Sequence, residues 1–219
     1  MTATYARTIE PNTDTFSAIS TGIREKGYAV IRNGLPLDLA NALYQQVNSS
    51  KVCFKRAAVG RMQSHTFNQS VRGDETCWID GNSPAEIAWI KWAESLQSYL
   101  NQQLFLGLQS FDSQFSHFSP GSFYKMHLDA FADTQYRFVT LITYLNPMWN
   151  ERFGGQLVIK DPSQRDMSKC VLPEFGTVVA FLSREFPHTV LPTWRDRYSI
   201  AGWYSTEDVF QVKNSMIRR

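Results

Sequence analysis

The sequence predicts an α+β fold, in which an N-terminal layer of helices precedes an antiparallel β core built as a sandwich or a barrel. Two features predict this division. Before Gly107 the apolar residues recur at helical spacing, whereas residues 111–204 consist of short runs rich in β-branched and aromatic side chains. No linker rich in Pro, Gly or Ser separates the two parts. We therefore expect a single domain over residues 1–219, with 1–107 as helical support and 111–204 as the β core.

The N-terminal elements follow from periodicity and from end signals. Residues 14–26 predict a helix, because apolar side chains repeat at helical spacing and Gly27 is placed to close it. Residues 28–33 (YAVIRN) predict a short strand, and residues 37–47 predict a second helix. The tetrapeptide SPAE at 83–86 is a capping box with proline at the first helical position, and an apolar face continues from it. A third helix is therefore expected there.

The segment between the second and third helices has no clear hydrophobic period. It is 51-KVCFKRAAVGRMQSHTFNQSVRGDETCWIDG-81. Loops of this length without structure of their own are uncommon unless they have a function. Two interpretations stay open from the residues alone, a surface excursion and a functional loop.

The β core is predicted from short runs bounded by Pro, Gly and Asn. Their length and spacing are typical of antiparallel strands joined by turns. The runs are SQFSHF, SFYKMHL, YRFVTLITYL, GQLVIK, GTVVAFL, HTVLP and RYSIAGWY.

Charge and cysteine content narrow the class of protein. The 22 basic and 20 acidic residues give a net charge of +2 without a block of like charge, so a nucleic-acid partner is not favoured. Cys53, Cys77 and Cys170 lie far apart and form no CxxC pair, which disfavours a disulfide framework and a structural zinc knot. The N-terminus lacks a signal-peptide pattern, and no apolar run approaches the roughly 20 residues that span a bilayer. We expect a cytoplasmic protein with no membrane partner.

A candidate metal site lies in 123-FYKMHLDAF-131. In a strand, residues i and i+2 share a face, so His127 and Asp129 can present an imidazole and a carboxylate to one point. This pair alone is weak evidence for a metal site. A third candidate ligand, His188, and an arginine nine residues later, Arg197, lie in 181-FLSREFPHTVLPTWRDRYSIAGWY-204. Two histidines and one carboxylate form the facial triad of non-haem Fe(II) oxygenases. A deeper arginine can hold the carboxylate of an organic acid through its two-pronged guanidinium.

Residues 118–204 resemble the catalytic core of the 2-oxoglutarate- and Fe(II)-dependent oxygenases of the prolyl 4-hydroxylase type. The matching motifs are FSPGSFYKMHLDAF, RFVTLITYLNPMW, FGGQLVIK, PEFGTVVAFLS and PHTVLPTWRDRYSIAGWY, in that order. The resemblance implies a double-stranded β-helix, a jelly-roll or cupin-like core of about eight strands. It also implies that His127, Asp129 and His188 are both the metal ligands and the catalytic centre.

The same resemblance implies how the cosubstrate binds. Arg197 would hold the C5 carboxylate of 2-oxoglutarate, and Tyr144 would donate a hydrogen bond to that carboxylate. The implied cofactors are Fe(II), 2-oxoglutarate as cosubstrate and O₂, with ascorbate as a candidate accessory reductant. A zinc hydrolase can also use two histidines and a carboxylate, but it has no need of a carboxylate clamp.

A second resemblance concerns 71-VRGDETCWIDG-81, which is similar to an element of the hypoxia-inducible-factor prolyl hydroxylases and their bacterial relatives that act on elongation factor Tu. It implies that a substrate loop, residues 51–78, folds over a peptide and that Trp78 packs behind the loop anchor. The positions that the resemblance assigns to substrate binding are Arg72, Asp74, Tyr124, Arg137 and Trp203.

Some residues depart from the family pattern or have simpler interpretations. Phe118 stands where many relatives carry a tyrosine whose hydroxyl reaches the cosubstrate or the target. Without the resemblance, Tyr144 and Trp203 would be interpreted as core aromatic residues. His65 and His117 have no ligand partners at suitable spacing, so we expect both to be structural.

Four functions are consistent with these residues. The leading hypothesis is a cytosolic hydroxylase of a prolyl residue in a protein such as elongation factor Tu, releasing succinate and CO₂. The alternative is a 2-oxoglutarate oxygenase acting on a free amino acid or another small molecule, which the long loop disfavours. A nucleic-acid demethylase usually has a second arginine where this chain has Trp203. A catalytically inactive binding module is disfavoured by the intact ligand set.

Overall fold

The computed structural model describes residues 13–49, 52–57, 70–130, 134, 136–162 and 168–207. In this part of the chain we number three α-helices and eleven strands, with one 3₁₀ turn at Glu151–Phe153. The helices are α1 (Thr13–Lys26), α2 (Leu37–Val47) and α3 (Pro84–Leu104). The strands are β1 (Tyr28–Ile31), β2 (Lys55–Arg56), β3 (Glu75–Trp78), β4 (Ser110–Phe118), β5 (Tyr124–His127), β6 (Arg137–Tyr144), β7 (Leu157–Lys160), β8 (Ser168–Val171), β9 (Val178–Leu182), β10 (His188–Val190) and β11 (Arg197–Ser205).

Two antiparallel sheets form the β core. The larger sheet has the order β1-β9-β6-β11-β4-β3-β2, and the smaller has the order β5-β10-β7-β8. Side chains from both sheets meet in one apolar cluster, which includes Phe118 and Ile142 of the larger sheet and Leu157 and Ile159 of the smaller. Four strands of each sheet, β9-β6-β11-β4 and β5-β10-β7-β8, come from the region that the sequence assigns to the β core.

The three helices cover the outer face of the larger sheet. Successive side chains of a strand point to opposite faces, so each central strand serves two environments. In β6, Val139 and Leu141 pack with the helices, whereas Ile142 and Tyr144 belong to the cluster between the sheets. The helical layer therefore packs on one face of the larger sheet. The other face, which is turned towards the smaller sheet, is left for the functional site.

The predicted helices agree closely with the structure. The second helix has the predicted bounds, the first begins one residue earlier at Thr13, and Gly27 ends it with a φ of 76°. The capping box is also present, since the Ser83 hydroxyl accepts a hydrogen bond from the Glu86 backbone N–H at 3.1 Å. The same hydroxyl donates to Gln46 of α2 at 2.6 Å, so this cap also joins two helices.

We expect Ser83→Ala to lower the free energy of unfolding by roughly 1 kcal/mol, the usual cost of losing an N-cap. The substitution removes the acceptor of the Glu86 N–H and the donor to Gln46. Urea denaturation followed by circular dichroism measures the change. Ser95→Ala is the matched control. Ser95 is exposed in the middle of α3, and its hydroxyl donates a hydrogen bond to the Lys91 carbonyl of the same helix. Equal stability of the two variants would show that the cap does not stabilise the fold.

The short strand predicted at residues 28–33 is present as β1, but two further strands before residue 107 were not predicted. β1 pairs with β9, and β2 and β3 extend the larger sheet beyond β4. Neither β2 nor β3 was predicted, because both strands are short and neither has a buried face. Backbone pairing, of β3 with β4 and of β2 with β3, holds them in place without a hydrophobic period. β8 was missed for a similar reason, since three of its four residues are exposed.

The central part of the predicted substrate loop, residues 58–69, lies outside the described residues. Within the part of the chain that the structure covers, no helix has both the length and the apolar character needed to cross a membrane.

Candidate active site

Two histidines face each other across a strand pair of the smaller sheet. His127 ends β5 and His188 begins β10, and the two are direct partners in the antiparallel register. Each ring bonds through Nδ1 to a backbone carbonyl two residues earlier, at 2.8 Å for Lys125 and 3.1 Å for Phe186. A carbonyl can only accept, so Nδ1 carries the proton in both rings and Nε2 keeps its lone pair. Both lone pairs are therefore available to a metal ion.

The carboxylate of Asp129 completes this group. Its Oδ1 lies 3.6 Å from Nε2 of His127, and its Oδ2 lies 3.6 Å from Nε2 of His188. The ligand atoms of the three residues lie within 4.8 Å of one another. Burial alone would raise the pKa of Asp129, but His188 and His127 together hold it well below its usual range. Burial lowers the pKa of His188, which favours the neutral imidazole that binds metals.

The donor set fits iron. One carboxylate and two imidazoles occupying one face of an ion leave adjacent positions open for other ligands, as in the non-haem Fe(II) oxygenases. The structure thus brings together all three metal ligands that the sequence predicts.

Arg197 is a buried cation at the inner end of the same cavity, with 2% of its surface exposed. Its Nε donates to the Gly155 carbonyl at 2.9 Å, and Nη1 donates to the Ser199 hydroxyl at 3.3 Å. Among the described residues no carboxylate lies within ion-pair distance of it, and burial lowers its pKa. A buried charge without a counter-ion is costly, so this pocket is suited to an anionic ligand.

Gly155 leaves the space that the arginine occupies. A Cβ at this position would lie 3.0 Å from Cδ of Arg197, and the residue has a φ of +69°, which L side chains rarely adopt. The motif FGGQLVIK predicts only a hairpin turn at Gly154 and Gly155, because glycine accepts a positive φ. The contact of Gly155 with Arg197 comes from the fold.

Tyr144 lies against the guanidinium of Arg197. The guanidinium carbon is 5.0 Å from the centre of the Tyr144 ring and 4.9 Å from the centre of the Phe118 ring. The Tyr144 hydroxyl is buried and has no hydrogen-bond partner among the described residues. Burial, only partly offset by Arg197, raises the pKa of Tyr144 to about 12, so the phenol stays protonated and can donate to a ligand. Phe118 covers the guanidinium with an apolar ring and offers no hydroxyl to a ligand.

One cavity of about 1010 Å³ connects the metal ligands and Arg197. Its volume is at the upper end of the range typical of small-molecule sites. All three metal ligands and Arg197 line it. The five residues that the sequence assigns to substrate binding line it as well, namely Arg72, Asp74, Tyr124, Arg137 and Trp203.

The first part of the cavity mouth is a linked row of side chains from β5 and the segment before β3. Arg72 donates to both oxygens of Asp74, from Nε at 2.7 Å and from Nη2 at 2.6 Å. The guanidinium of Arg72 also lies over the Tyr124 ring at 4.4 Å, and that ring stacks on His127 with 3.6 Å between centroids. The base of the substrate loop is therefore in contact, through two side chains, with a metal ligand.

The second part of the mouth is formed by Arg137 and Trp203. The Arg137 guanidinium lies 3.7 Å from the centre of the Trp203 ring, and its Nη2 is 3.8 Å from Oδ2 of Asp112. The expectation that Trp78 packs behind the loop anchor is wrong. Trp78 is 48% exposed, and its ring lies 6.3 Å from that of Trp203 at the rim of the cavity. It lies at the rim because β3 lies near the edge of the larger sheet, between β4 and β2.

The remaining histidines stay outside the site. His117 pairs through Nε2 with Asp196 at 2.8 Å and stacks on Tyr198, which is the structural role that we expected. His65 lies outside the described residues.

Comparison with known proteins places this site in a family. The model of the 2OG-Fe(II) oxygenase superfamily matches residues 113–205. A prolyl-4-hydroxylase from Pseudomonas putida is 32% identical, with a TM-score of 0.79 over 88% of this chain and 100% of that one. A prolyl hydroxylase from Trichoplax adhaerens, solved with a peptide of hypoxia inducible factor, is 25% identical, with a TM-score of 0.78 over 88% of this chain and 90% of that one.

Among curated proteins, human Egl nine homolog 1 is 27% identical over 155 residues. The match covers 67% of this chain but only 36% of that protein. The chain belongs to the 2OG-Fe(II) oxygenase superfamily, whose cofactors are Fe(II), 2-oxoglutarate and O₂. Within it, the chain is a homologue of the Egl nine prolyl hydroxylases, the hypoxia-inducible-factor type, and of the Pseudomonas putida prolyl-4-hydroxylase. The predicted double-stranded β-helix core is thereby confirmed.

Proposed function

We propose that the protein hydroxylates a prolyl residue of a protein substrate and releases succinate and CO₂. The observation that carries this proposal is one cavity that joins a two-histidine, one-carboxylate centre to a buried arginine, which has no counter-ion among the described residues. A mouth lined by aromatic and arginine side chains suits a peptide, because these side chains dominate the energetics of protein recognition. The likeness to the Pseudomonas putida prolyl-4-hydroxylase over that whole chain supports proline as the target.

Each group of residues has a separate task in this proposal. The iron is held by His127, Asp129 and His188. Arg197 binds the C5 carboxylate of 2-oxoglutarate, and the Tyr144 hydroxyl donates a hydrogen bond to the same carboxylate. The bound iron supplies the redox chemistry that couples decarboxylation of 2-oxoglutarate by O₂ to conversion of a C–H bond into C–OH. The protein contributes orientation and exclusion of water, because the carboxylate pocket is buried.

The mouth residues would position the peptide. The Arg72–Asp74 pair fixes the base of the substrate loop beside Tyr124, and Arg137 over Trp203 forms the opposite wall. A free amino acid would leave much of this cavity unfilled, which favours the peptide over the small-molecule alternative.

We further propose elongation factor Tu as the substrate and the cytoplasm as the compartment. The similarity of 71-VRGDETCWIDG-81 to the bacterial hydroxylases of elongation factor Tu supports the first proposal. The second is supported by Cys53, Cys77 and Cys170, which are free thiols, as is usual in a reducing compartment.

The test is incubation of the iron-loaded protein with 2-oxoglutarate, O₂ and purified elongation factor Tu, followed by mass spectrometry of tryptic peptides. We expect a gain of one oxygen, about 16 Da, on a proline, together with an equal amount of succinate. Free proline is the control substrate and should stay unmodified. Hydroxylation of free proline with none on the protein would favour the small-molecule alternative. Labelling of other proteins in a host lysate, but not of elongation factor Tu, would retain the prolyl hydroxylase and reject this substrate.

A further inference from the structure

Two buried hydroxyls connect the Asp129 carboxylate to the larger sheet. The Thr140 hydroxyl donates to Oδ2 of Asp129 at 2.8 Å, and the Ser183 hydroxyl lies 2.9 Å from that of Thr140. Thr140 is 1% exposed and Ser183 is 0% exposed. The metal ligands come from the smaller sheet, from β5, the residues after it and β10. Thr140 is in β6, so its hydrogen bond to Asp129 connects the two sheets.

The direction of these hydrogen bonds follows from the number of protons. An ionised carboxylate can only accept, so the single hydroxyl proton of Thr140 goes to Asp129. The Thr140 oxygen must then be the acceptor of the second hydrogen bond, and the Ser183 hydroxyl is its donor. The relay therefore runs from Ser183 through Thr140 to Oδ2, and each member has one orientation.

The backbone around the relay is fixed on both sides. Thr140 lies in β6, where it is the register partner of Phe181 in β9 and of Trp203 in β11. Ser183 follows β9 directly, and its backbone N–H donates to the Phe138 carbonyl at 3.0 Å. A donor held in the middle of a sheet can orient a ligand more exactly than one on a loop.

We propose that Thr140 is a positioning residue that makes Asp129 a ligand through one oxygen only. The two carboxylate oxygens lie equally close to the ligand nitrogens, Oδ1 at 3.6 Å from Nε2 of His127 and Oδ2 at 3.6 Å from Nε2 of His188. Only Oδ2 accepts a hydrogen bond from Thr140, which leaves Oδ1 as the oxygen free to bind the metal. A carboxylate that binds through one oxygen keeps a coordination position free for 2-oxoglutarate or O₂. This inference rests on the metal site of the proposed function but not on the identity of the substrate. Residues that hydrogen-bond to a metal ligand without touching the metal usually set the orientation of that ligand and the affinity of the site for the metal.

The test uses Co(II) binding to the metal-free protein, which requires no turnover. We expect Thr140→Val, which keeps the shape of the side chain, to bind Co(II) roughly 10-fold more weakly than the parent protein. The visible absorption bands of bound Co(II) should also change in intensity, because Oδ2 becomes free to join Oδ1 on the metal. Thr140→Ser restores the donor and should restore both the affinity and the spectrum.

Thr143→Val is the matched control. Thr143 is a fully buried threonine on the same strand, but its hydroxyl donates to the Thr177 carbonyl and points away from the metal ligands. It should lower stability without changing Co(II) affinity or the spectrum. Parent-like affinity and spectrum in a folded Thr140→Val protein would overturn the proposal.

Ser183→Ala provides a second test should Thr140→Val fail to fold. It leaves Thr140 in place but frees its hydroxyl to rotate, so we expect a smaller loss of affinity in the same direction. No loss in this variant would overturn the relay. A protein that binds Co(II) as expected but hydroxylates no proline would overturn the proposed function and leave this inference standing.

Discussion

Substitution of His127 by alanine is expected to abolish both iron binding and 2-oxoglutarate turnover. His127 supplies one of the three ligands, and its Nδ1 is already committed to the Lys125 carbonyl, which leaves Nε2 for the metal. Loss of a direct ligand should exceed the roughly 10- to 100-fold loss of affinity caused by removing an outer hydrogen-bond partner. Isothermal titration with Co(II) and an assay of succinate formation measure the two effects.

His117→Ala is the matched control for this prediction. His117 is held by Asp196 and Tyr198 away from the cavity, so its loss should leave Co(II) affinity unchanged. If His127→Ala still converted 2-oxoglutarate to succinate at the parent rate, the assignment of the metal site would be wrong.

Substitution of Arg197 by alanine is expected to weaken 2-oxoglutarate binding by at least roughly 100-fold while Co(II) still binds. Each hydrogen bond to a charged group contributes roughly 1.5–3 kcal/mol, and the guanidinium fork can form two. Tyr144 would keep its hydroxyl but lose the cation beside it. Titration of the Co(II)-loaded protein with 2-oxoglutarate gives the dissociation constant.

Two further variants make this test specific. Arg197→Lys keeps the charge but loses the planar fork, so its affinity for 2-oxoglutarate should lie between those of the parent and of Arg197→Ala. Arg24→Ala removes an exposed arginine from α1 and should change nothing. An unchanged affinity for 2-oxoglutarate in Arg197→Ala would refute the carboxylate clamp, whatever the effect on Co(II).

The sequence predicted the helices and the metal ligands well because their signals are local. The cap at Ser83 and the end at Gly27 depend on residues within one helical turn of each other. The pair His127 and Asp129 shares a strand segment, so its spacing already indicates a common direction. The third ligand, His188, and the clamp, Arg197, required the ordered family motifs, since nothing local links them to the first pair.

Contacts between distant segments were decided by the tertiary structure. β2 and β3 have no hydrophobic period of their own. β3 forms because β4 offers a free edge for backbone pairing, and β2 pairs in turn with β3. The exposed position of Trp78 follows from that pairing. In the sequence, Thr140 is one of several polar residues in an apolar strand, and nothing marks it as part of the site. The packing of the two sheets brings its hydroxyl to 2.8 Å from Oδ2 of Asp129.

By itself, then, the sequence determined which residues could bind a metal and an organic acid, because residue type and strand alternation fix the available chemistry. Only the tertiary structure decided how those groups are oriented. The burial of Arg197 and the hydrogen bond to Oδ2 of Asp129 depend on neighbours that are remote in the chain. The proton on each histidine depends on a backbone carbonyl that the strand holds in place. The contact between Thr140 and Asp129 exists only because the two sheets pack against each other, since Asp129 follows β5 of the smaller sheet and Thr140 lies in β6 of the larger.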